Sequence, residues 1–392
     1  MELPLILFDT PQLHRQLQPL TLTRSIAELR IGIRTIREQW EDYMGSKAHL
    51  LSDPYLQLET FSQGGVNLYV RSNVIPSEKL VSELKNLKEG DCLRQDGQVI
   101  AFITEEPFTF EDIATAKGNY IESKTDSIII NRPWDLFRYN GQVLEREFDR
   151  LANGQESAEI HDSVLFLGDK SKLFIHPEAK VQAAILNTET GPIYIGKDCE
   201  VMEGSFIRGP FAMIDHAVVK MGAKIYGPTT LGNYCKVGGE LNNVILQSYS
   251  NKGHDGFLGN SVIGSWCNLG ADTNCSNLKN NYGEVRSWSY QEEEFVSTGL
   301  QFCGLIMGDH SKSSINAQFN TGTICGVSSN IFDSGFPSKH IPSFSWGGGK
   351  NRFDYNKSLE VAERMMERRG KSLSDRDRAI MAHIYKESEK YY

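Results

Sequence analysis

The sequence predicts an α/β domain over residues 1–152, a hexapeptide parallel β-helix over 160–345 and a helical tail over 346–392, and three observations support that fold class. An aliphatic or sulfur side chain stands on every sixth residue from Ile195 through Val201, Ile207, Met213, Val219, Ile225 and Leu231 to Val237. Six is a multiple of the strand period of two and not of the helical 3.6, so a coil of short strands returns each of these side chains to the same inward position. The residues before 152 lack this beat and alternate short apolar runs with helical spacing. The chain closes on two stretches with helical spacing, 359–368 and 374–390, and an open coil end needs a cover over its unpaired strand edge or a neighbouring subunit against it.

In chain order, residues 3–8 form a short apolar run that reads as a strand. Ile26, Leu29, Ile33, Ile36 and Trp40 keep helical spacing and predict a helix over 23–41. Strands are expected at 66–69, 99–103 and 127–130. Pro133 suits a first helical turn, and a helix is expected to run through 145–151. The polar stretch 152–157 marks the junction. Residues 164–167 and 172–175 lead into the coil, with Ile175 and Val181 as an early turn. Small residues after inward positions, as in Ile195-Gly196 and Leu231-Gly232, suit corners that a β-carbon would obstruct. A loop over 238–257 is expected to shift the phase by two residues before Ile263-Gly264 and Leu269-Gly270 resume it. A second polar excursion, 274–294, precedes degenerate coils around Met307 and Cys325.

Composition narrows the function. With 392 residues and a formal net charge of −9 the chain suits a soluble two-domain protein and argues against a nucleic-acid surface. No basic leader and no run of eighteen apolar residues is present, so a cytoplasmic protein without a membrane partner is expected. The seven cysteines show no Cys-x-x-Cys pair and are expected to be reduced and buried, six of them inside the narrow coil. No metal constellation stands out, and no His-x4-His pair supports a β-helix carbonic anhydrase.

The densest polar cluster surrounds Gly253-His254, with Phe257-Leu258-Gly259-Asn260 after it, then Asn268-Leu269-Gly270-Ala271 and Asn277. This string resembles the acetyltransferase domain of the bifunctional UDP-N-acetylglucosamine pyrophosphorylase/glucosamine-1-phosphate acetyltransferase family. Pro19-Leu20-Thr21-Leu22-Thr23-Arg24 and Arg132-Pro133-Trp134-Asp135 extend the resemblance to a Bacteroidetes-type branch of sugar nucleotidyltransferase-like proteins. It implies a left-handed coil, a nucleotidyltransferase-like first domain, acetyl-CoA as co-substrate, a sugar phosphate or sugar nucleotide as acceptor, and a homotrimer.

The resemblance also implies roles. An amine attacking a thioester must lose a proton, a task suited to an imidazole, and His254 matches the general base. A tetrahedral oxyanion needs a fixed donor, and Asn277 and Asn268 match positions that bind the sugar or orient catalytic groups. Gly270 and Ala271 match the stretch that the acyl-CoA approaches. Lys220 stands where the family has a phosphate-binding arginine, and Lys252 and Lys279 flank the motif. Phe257 replaces a tyrosine, Asp272 replaces a small residue, and Lys236 lies only near the family's second phosphate-binding lysine. In the first domain the Gly-x-Gly-Thr-Arg loop is missing, which leaves Asp9, Arg15 and Arg24 as candidates for phosphate or metal contact, with magnesium needed only if that domain transfers nucleotides. The alternative is a non-catalytic sugar-nucleotide-binding or assembly protein of the same fold.

Overall fold

A computed structural model describes residues 3–58, 60–152 and 154–392. The chain divides into two compact units, one holding residues through Leu29 together with 34–132, the other holding 30–33 and 133–392.

The first unit is an α/β unit built on a six-stranded sheet. Its strands are β1 (Leu5–Phe8), β2 (Ala48–Leu51), β3 (Asn67–Arg71), β4 (Asp91–Gln95), β5 (Gln98–Thr104) and β6 (Asn119–Glu122), in the order β2-β1-β3-β5-β4-β6. All four residues of β1 are buried, as a central strand covered on both faces requires, and β1 pairs in parallel with β2 and β3. β5 runs antiparallel to both β3 and β4. Three helices accompany the sheet: α1 (Pro11–Gln16), α2 (Ile36–Met44) and α3 (Glu78–Leu84). The long helix expected over 23–41 is not formed. A single 3-10 turn covers Ile26–Glu28, Gly32 is left-handed with φ 70°, and α2 starts only after Thr35, whose hydroxyl and the Glu38 carboxylate make a reciprocal capping box. A β-carbon on Gly32 would fall 2.7 Å from Val143 Cγ1, so the helical register is surrendered to a close packing contact. The strand expected at 127–130 is reduced to an isolated bridge between Val74 and Ile129.

The second unit is a left-handed parallel β-helix with the long helix α4 (Asp135–Ala152) and the closing helices α5 (Tyr355–Glu367) and α6 (Asp375–Ser388). The six-residue beat is visible as register. Ile195 pairs with Met213 and Met213 with Leu231 on one wall, Val201 with Val219 and Val219 with Val237 on the next, and Ile207 with Ile225 on the third. All of these side chains belong to one buried core. The glycine at the corner after Leu231 is obligatory, because a β-carbon on Gly232 would lie 1.4 Å from the Gln247 carbonyl oxygen. The six coil cysteines are buried and form no disulfide.

The phase slip has a different origin from the loop expected over 238–257. Residues Glu240–Leu246 and Asn251–Lys252 are coil strands. The corner between Val219 and Lys224 uses four residues, whereas the next corner, between Val237 and Glu240, uses only Gly238 and Gly239. Two residues are therefore lost while the wall continues. Gly239 takes φ 71°, and its missing β-carbon leaves room for the Gly256 carbonyl 2.7 Å away.

The later excursion contains a hairpin, Arg286–Ser289 against Glu294–Ser297. At the far end of the coil, Phe344 packs edge-on to Tyr385 of α6 at 4.9 Å, and Ser345 Oγ lies 2.9 Å from the Tyr392 hydroxyl, so α6 and the residues after it cover the last turn. Ala362 and Met366 of α5, with Leu373, instead pack against Trp266 on the side of the coil. Among the described residues no helix is long and apolar enough to cross a membrane.

Candidate functional site

The second wall carries an outward row running Lys236, Asn251, Asn268, Lys312, set by parallel pairing of each position with the next. Beside it, the corner after Lys252 keeps four residues, 253–256, and stands over the shortened Gly238-Gly239 corner. Its position is fixed by Lys252, which is 1% exposed and donates from Nζ to the carbonyls of Gly238, His254 and Asp255 at 3.2, 2.8 and 3.0 Å. Burial pushes this ammonium down to about 8. The expectation that Lys252 contacts substrate is therefore replaced by a structural role, since its three donors are engaged inside the corner. What the corner presents outward is His254, whose side chain is exposed.

His254 opens on a cavity of about 860 Å³ between this wall and α5. Lys220, Asn268, Gly270 and Ala271 line the same cavity, so five of the residues singled out in the sequence are brought together. The sequence reading missed most of the opposite bank: Arg364, Arg368 and Arg369 come from α5 and the residues just after it, and Lys236 and Lys312 complete six basic side chains. No Asp or Glu is among the described residues lining the cavity. The cations feel one another. Lys236 is held below the usual lysine range by burial and by Arg369, Lys220 and Arg368, while burial pushes Lys312 down to about 8, its Nζ donating to the His310 carbonyl at 2.7 Å. A cluster of this kind attracts a multiply charged anion.

A second surface of the cavity is aromatic. His216, Tyr234, Tyr249, Trp266 and His310 are all left-handed corner residues, and successive rings stack, with centroids 4.4, 5.1, 4.1 and 6.3 Å apart. Tyr249 and Trp266 line the cavity. The signal for this ladder was present as an aromatic or imidazole at one corner position per coil, but its period is irregular where the coil shortens. Asn251 also lines the cavity, and its side-chain oxygen is buried without a hydrogen-bond partner.

Phe257 and Asn277 do not line this cavity. They meet each other across Gly259, where a β-carbon would be 2.6 Å from both the Asn277 amide nitrogen and the Phe257 ring, and Asn277 donates to Asn260 Oδ1 at 2.8 Å. Lys279 donates to the Glu284 carbonyl. In the first unit Asp9 is fully buried, accepting from Ser25 Oγ at 3.1 Å, the Ile26 amide at 3.2 Å and Ser52 Oγ at 2.5 Å, with His14 Nδ1 3.2 Å away. A carboxylate enclosed in this way does not fit a magnesium ion, so the metal role expected of Asp9 is replaced by a role in holding three loops. Arg15 and Arg24 are not among the residues that line the first unit's cavity, of about 690 Å³, where the bases are Arg71, Arg94 and Lys117.

Comparison with known proteins adds three observations. Residues 5–156 match the family model described as sugar nucleotidyl transferase. The chain is also similar to a bifunctional sugar-1-phosphate nucleotidylyltransferase/acetyltransferase of Sulfurisphaera tokodaii, 24% identical over 205 residues that span 52% of this chain and 44% of the relative. It is similar to an uncharacterized acetyltransferase, YaiX, of Escherichia coli, 24% identical over 173 residues, 42% of this chain and 74% of that protein. The match thus spans less than half the length of the first relative.

Proposed function

We propose that the second unit is an acyl-CoA-dependent N-acetyltransferase acting on an amino sugar that bears a phosphate or nucleotide. The observation that supports it best is the pairing of one exposed imidazole, His254, with six basic side chains and no carboxylate in one cavity. The similarity to proteins named acetyltransferases points the same way. In this reading the cations hold the anionic parts of the substrates. The sugar amine attacks the carbonyl carbon of the thioester, His254 takes the proton that the amine loses, and the thiolate leaves and is reprotonated. The Asn268 side-chain amide and the Ala271 backbone line the cavity and are the donors assigned to the developing oxyanion, while the Gly270 amide is already donated to Ser313 in the coil. Phe257 and Asn277 face the chemistry only if a second subunit completes the site.

A trimer is part of the proposal. The outward row Leu165, Ile185, Phe206 on the third wall leaves Leu165 and Phe206 55% and 50% exposed, an apolar strip that a second copy would cover. The test is steady-state acetyl transfer from acetyl-CoA to a panel of amino-sugar phosphates and sugar nucleotides, with the assembly state followed by light scattering. Transfer that is lost in His254→Ala while the assembly is unchanged supports the proposal. Acetyl-CoA and sugar ligands that bind without any transfer favour the non-catalytic alternative.

A further inference from the structure

Burial lowers two lysines of the coil alike, to about 8, but their ammonium groups are engaged differently. Lys252 commits three donors to the carbonyls of its own corner and does not line the cavity. Lys312 does line it, and its Nζ donates to one carbonyl, that of His310, at 2.7 Å. The second wall sets its place. Asn268 pairs with Lys312 in parallel register, the Asn268 amide donating to the Ser311 carbonyl at 3.1 Å and the Ser313 amide to the Asn268 carbonyl at 3.0 Å. Adjacent strands stand about 4.8 Å apart, so Lys312 is one coil from the side chain assigned to the oxyanion, a step that a flexible four-carbon stem spans.

The other lysine of this row, Lys236, lies on the far side of Asn268 with Asn251 between them. Arg369, Lys220 and Arg368 act on Lys236, whereas Lys312 is lowered by burial, with the Cys267 thiol acting in the opposite direction. At about pH 7.5 an ordinary lysine is a neutral amine in about one molecule in a thousand, and one held at about 8 in roughly a quarter. A neutral amine in a cavity that receives a thioester is a nucleophile.

We propose that Lys312 is a self-acylation site: when no amino-sugar acceptor is present, its Nζ attacks the thioester of bound acyl-CoA and becomes an N-acyl-lysine. The inference rests on acyl-CoA binding in this cavity, as proposed above. In the step the N–C bond forms, the C–S bond breaks, and the proton that the amine loses leaves with the thiolate as the free thiol. The product is an amide, too stable to pass its acyl group on, so it is a modification and not an intermediate of sugar transfer. It removes one of the six cations and occupies part of the cavity, which weakens the hold on anionic substrate. The chain then slows itself when acyl-CoA is plentiful and acceptor is scarce.

The test is incubation of the full chain with acetyl-CoA and no sugar, followed by intact-mass measurement and peptide mapping, with acetyl-CoA binding followed in parallel by calorimetry. A single acetyl group is expected on Lys312, appearing at least about tenfold faster than on Lys236, and the preference is expected to vanish in urea. The modified protein should show KM for the anionic substrate raised about tenfold. Lys312→Arg keeps a cation that stays protonated, so it should gain no acetyl group there and show the same KM after incubation as before it. Acetyl-CoA that binds while Lys312 stays unmodified, or acetyl groups that reach Lys236 and exposed lysines as fast as Lys312, would overturn this inference and leave the proposed transferase standing. Absence of acetyl-CoA binding would overturn both.

Discussion

The two cavities are both lined by bases and free of acids among their described residues, and they differ in what stands beside the charge. The coil cavity sets an exposed imidazole among cations that come from three sources: the wall, the corner and helix α5. The cavity of the first unit has two partly buried guanidinium groups fixed by a glutamine and a tyrosine, and no histidine, cysteine or carboxylate lines it. Attracting an anion needs only charge. Adding an imidazole, a side chain that can take a proton from a reacting amine, to a replaceable set of cations is what chemistry requires.

The largest expected effect breaks this contrast at its centre. Replacing His254 by alanine should lower kcat for acetyl transfer by about 10²- to 10⁴-fold, the usual contribution of a general base, with ligand affinities nearly unchanged by calorimetry. A loss confined to KM would reduce the coil cavity to a binding site. Next in size, Arg368→Gln or Lys220→Gln should raise KM for the anionic substrate by about tenfold with little change in kcat, because each removes one of six cations and the others persist.

How much of this was legible depended on whether the information is local. The inward beat was readable because each position repeats one physical demand at fixed spacing, and the registers of Ile195, Met213 and Leu231 realise it directly. His254, Asn268, Gly270 and Ala271 were readable as one motif, since adjacent coils stack them on one edge. Lys252 was misread as a ligand contact because sequence gives the charge of a side chain and not its direction; three carbonyls converge on it only after the Gly238-Gly239 corner shortens the coil below. The arginines after residue 360 were invisible as site residues, since their place depends on how α5 docks on Trp266, a contact separated by about a hundred residues of chain. Arg71 and Arg94 were missed for the same reason: they come together by strand order, not by spacing.

A smaller effect sharpens the distinction between strut and ligand within the motif itself. Lys252→Met leaves three carbonyls, that of Gly238 buried and those of His254 and Asp255 partly so, without their shared donor and should cost about 1–3 kcal/mol in chemical denaturation. The transfer rate per folded molecule should fall only as far as the 253–256 corner relaxes. A rise in KM for substrate at unchanged stability would return Lys252 to the binding role.

The smallest expected effect is the pH dependence of that same difference. The folded chain holds the Lys252 ammonium at about 8, below the ordinary 10.5, because burial penalises the charge. Below pH 8 both folded and unfolded chains bind the proton, and the penalty is constant. Between about 8 and 10.5 the unfolded chain keeps a proton that the folded chain releases, so this lysine's contribution becomes more favourable as pH rises. The total need not follow, because burial raises the coil thiols, Cys199 and Cys235 to about 12, so that their contribution is fully present below the ordinary thiol range and is lost as pH climbs through it. Those thiols are common to the parent and to Lys252→Met and cancel in the difference. The stability gap between the two proteins should therefore widen by about 2 kcal/mol from pH 8 to 10. A gap that stays flat would mean the ammonium titrates as it does in water, and the corner beneath His254 would then be far wetter than its packing indicates.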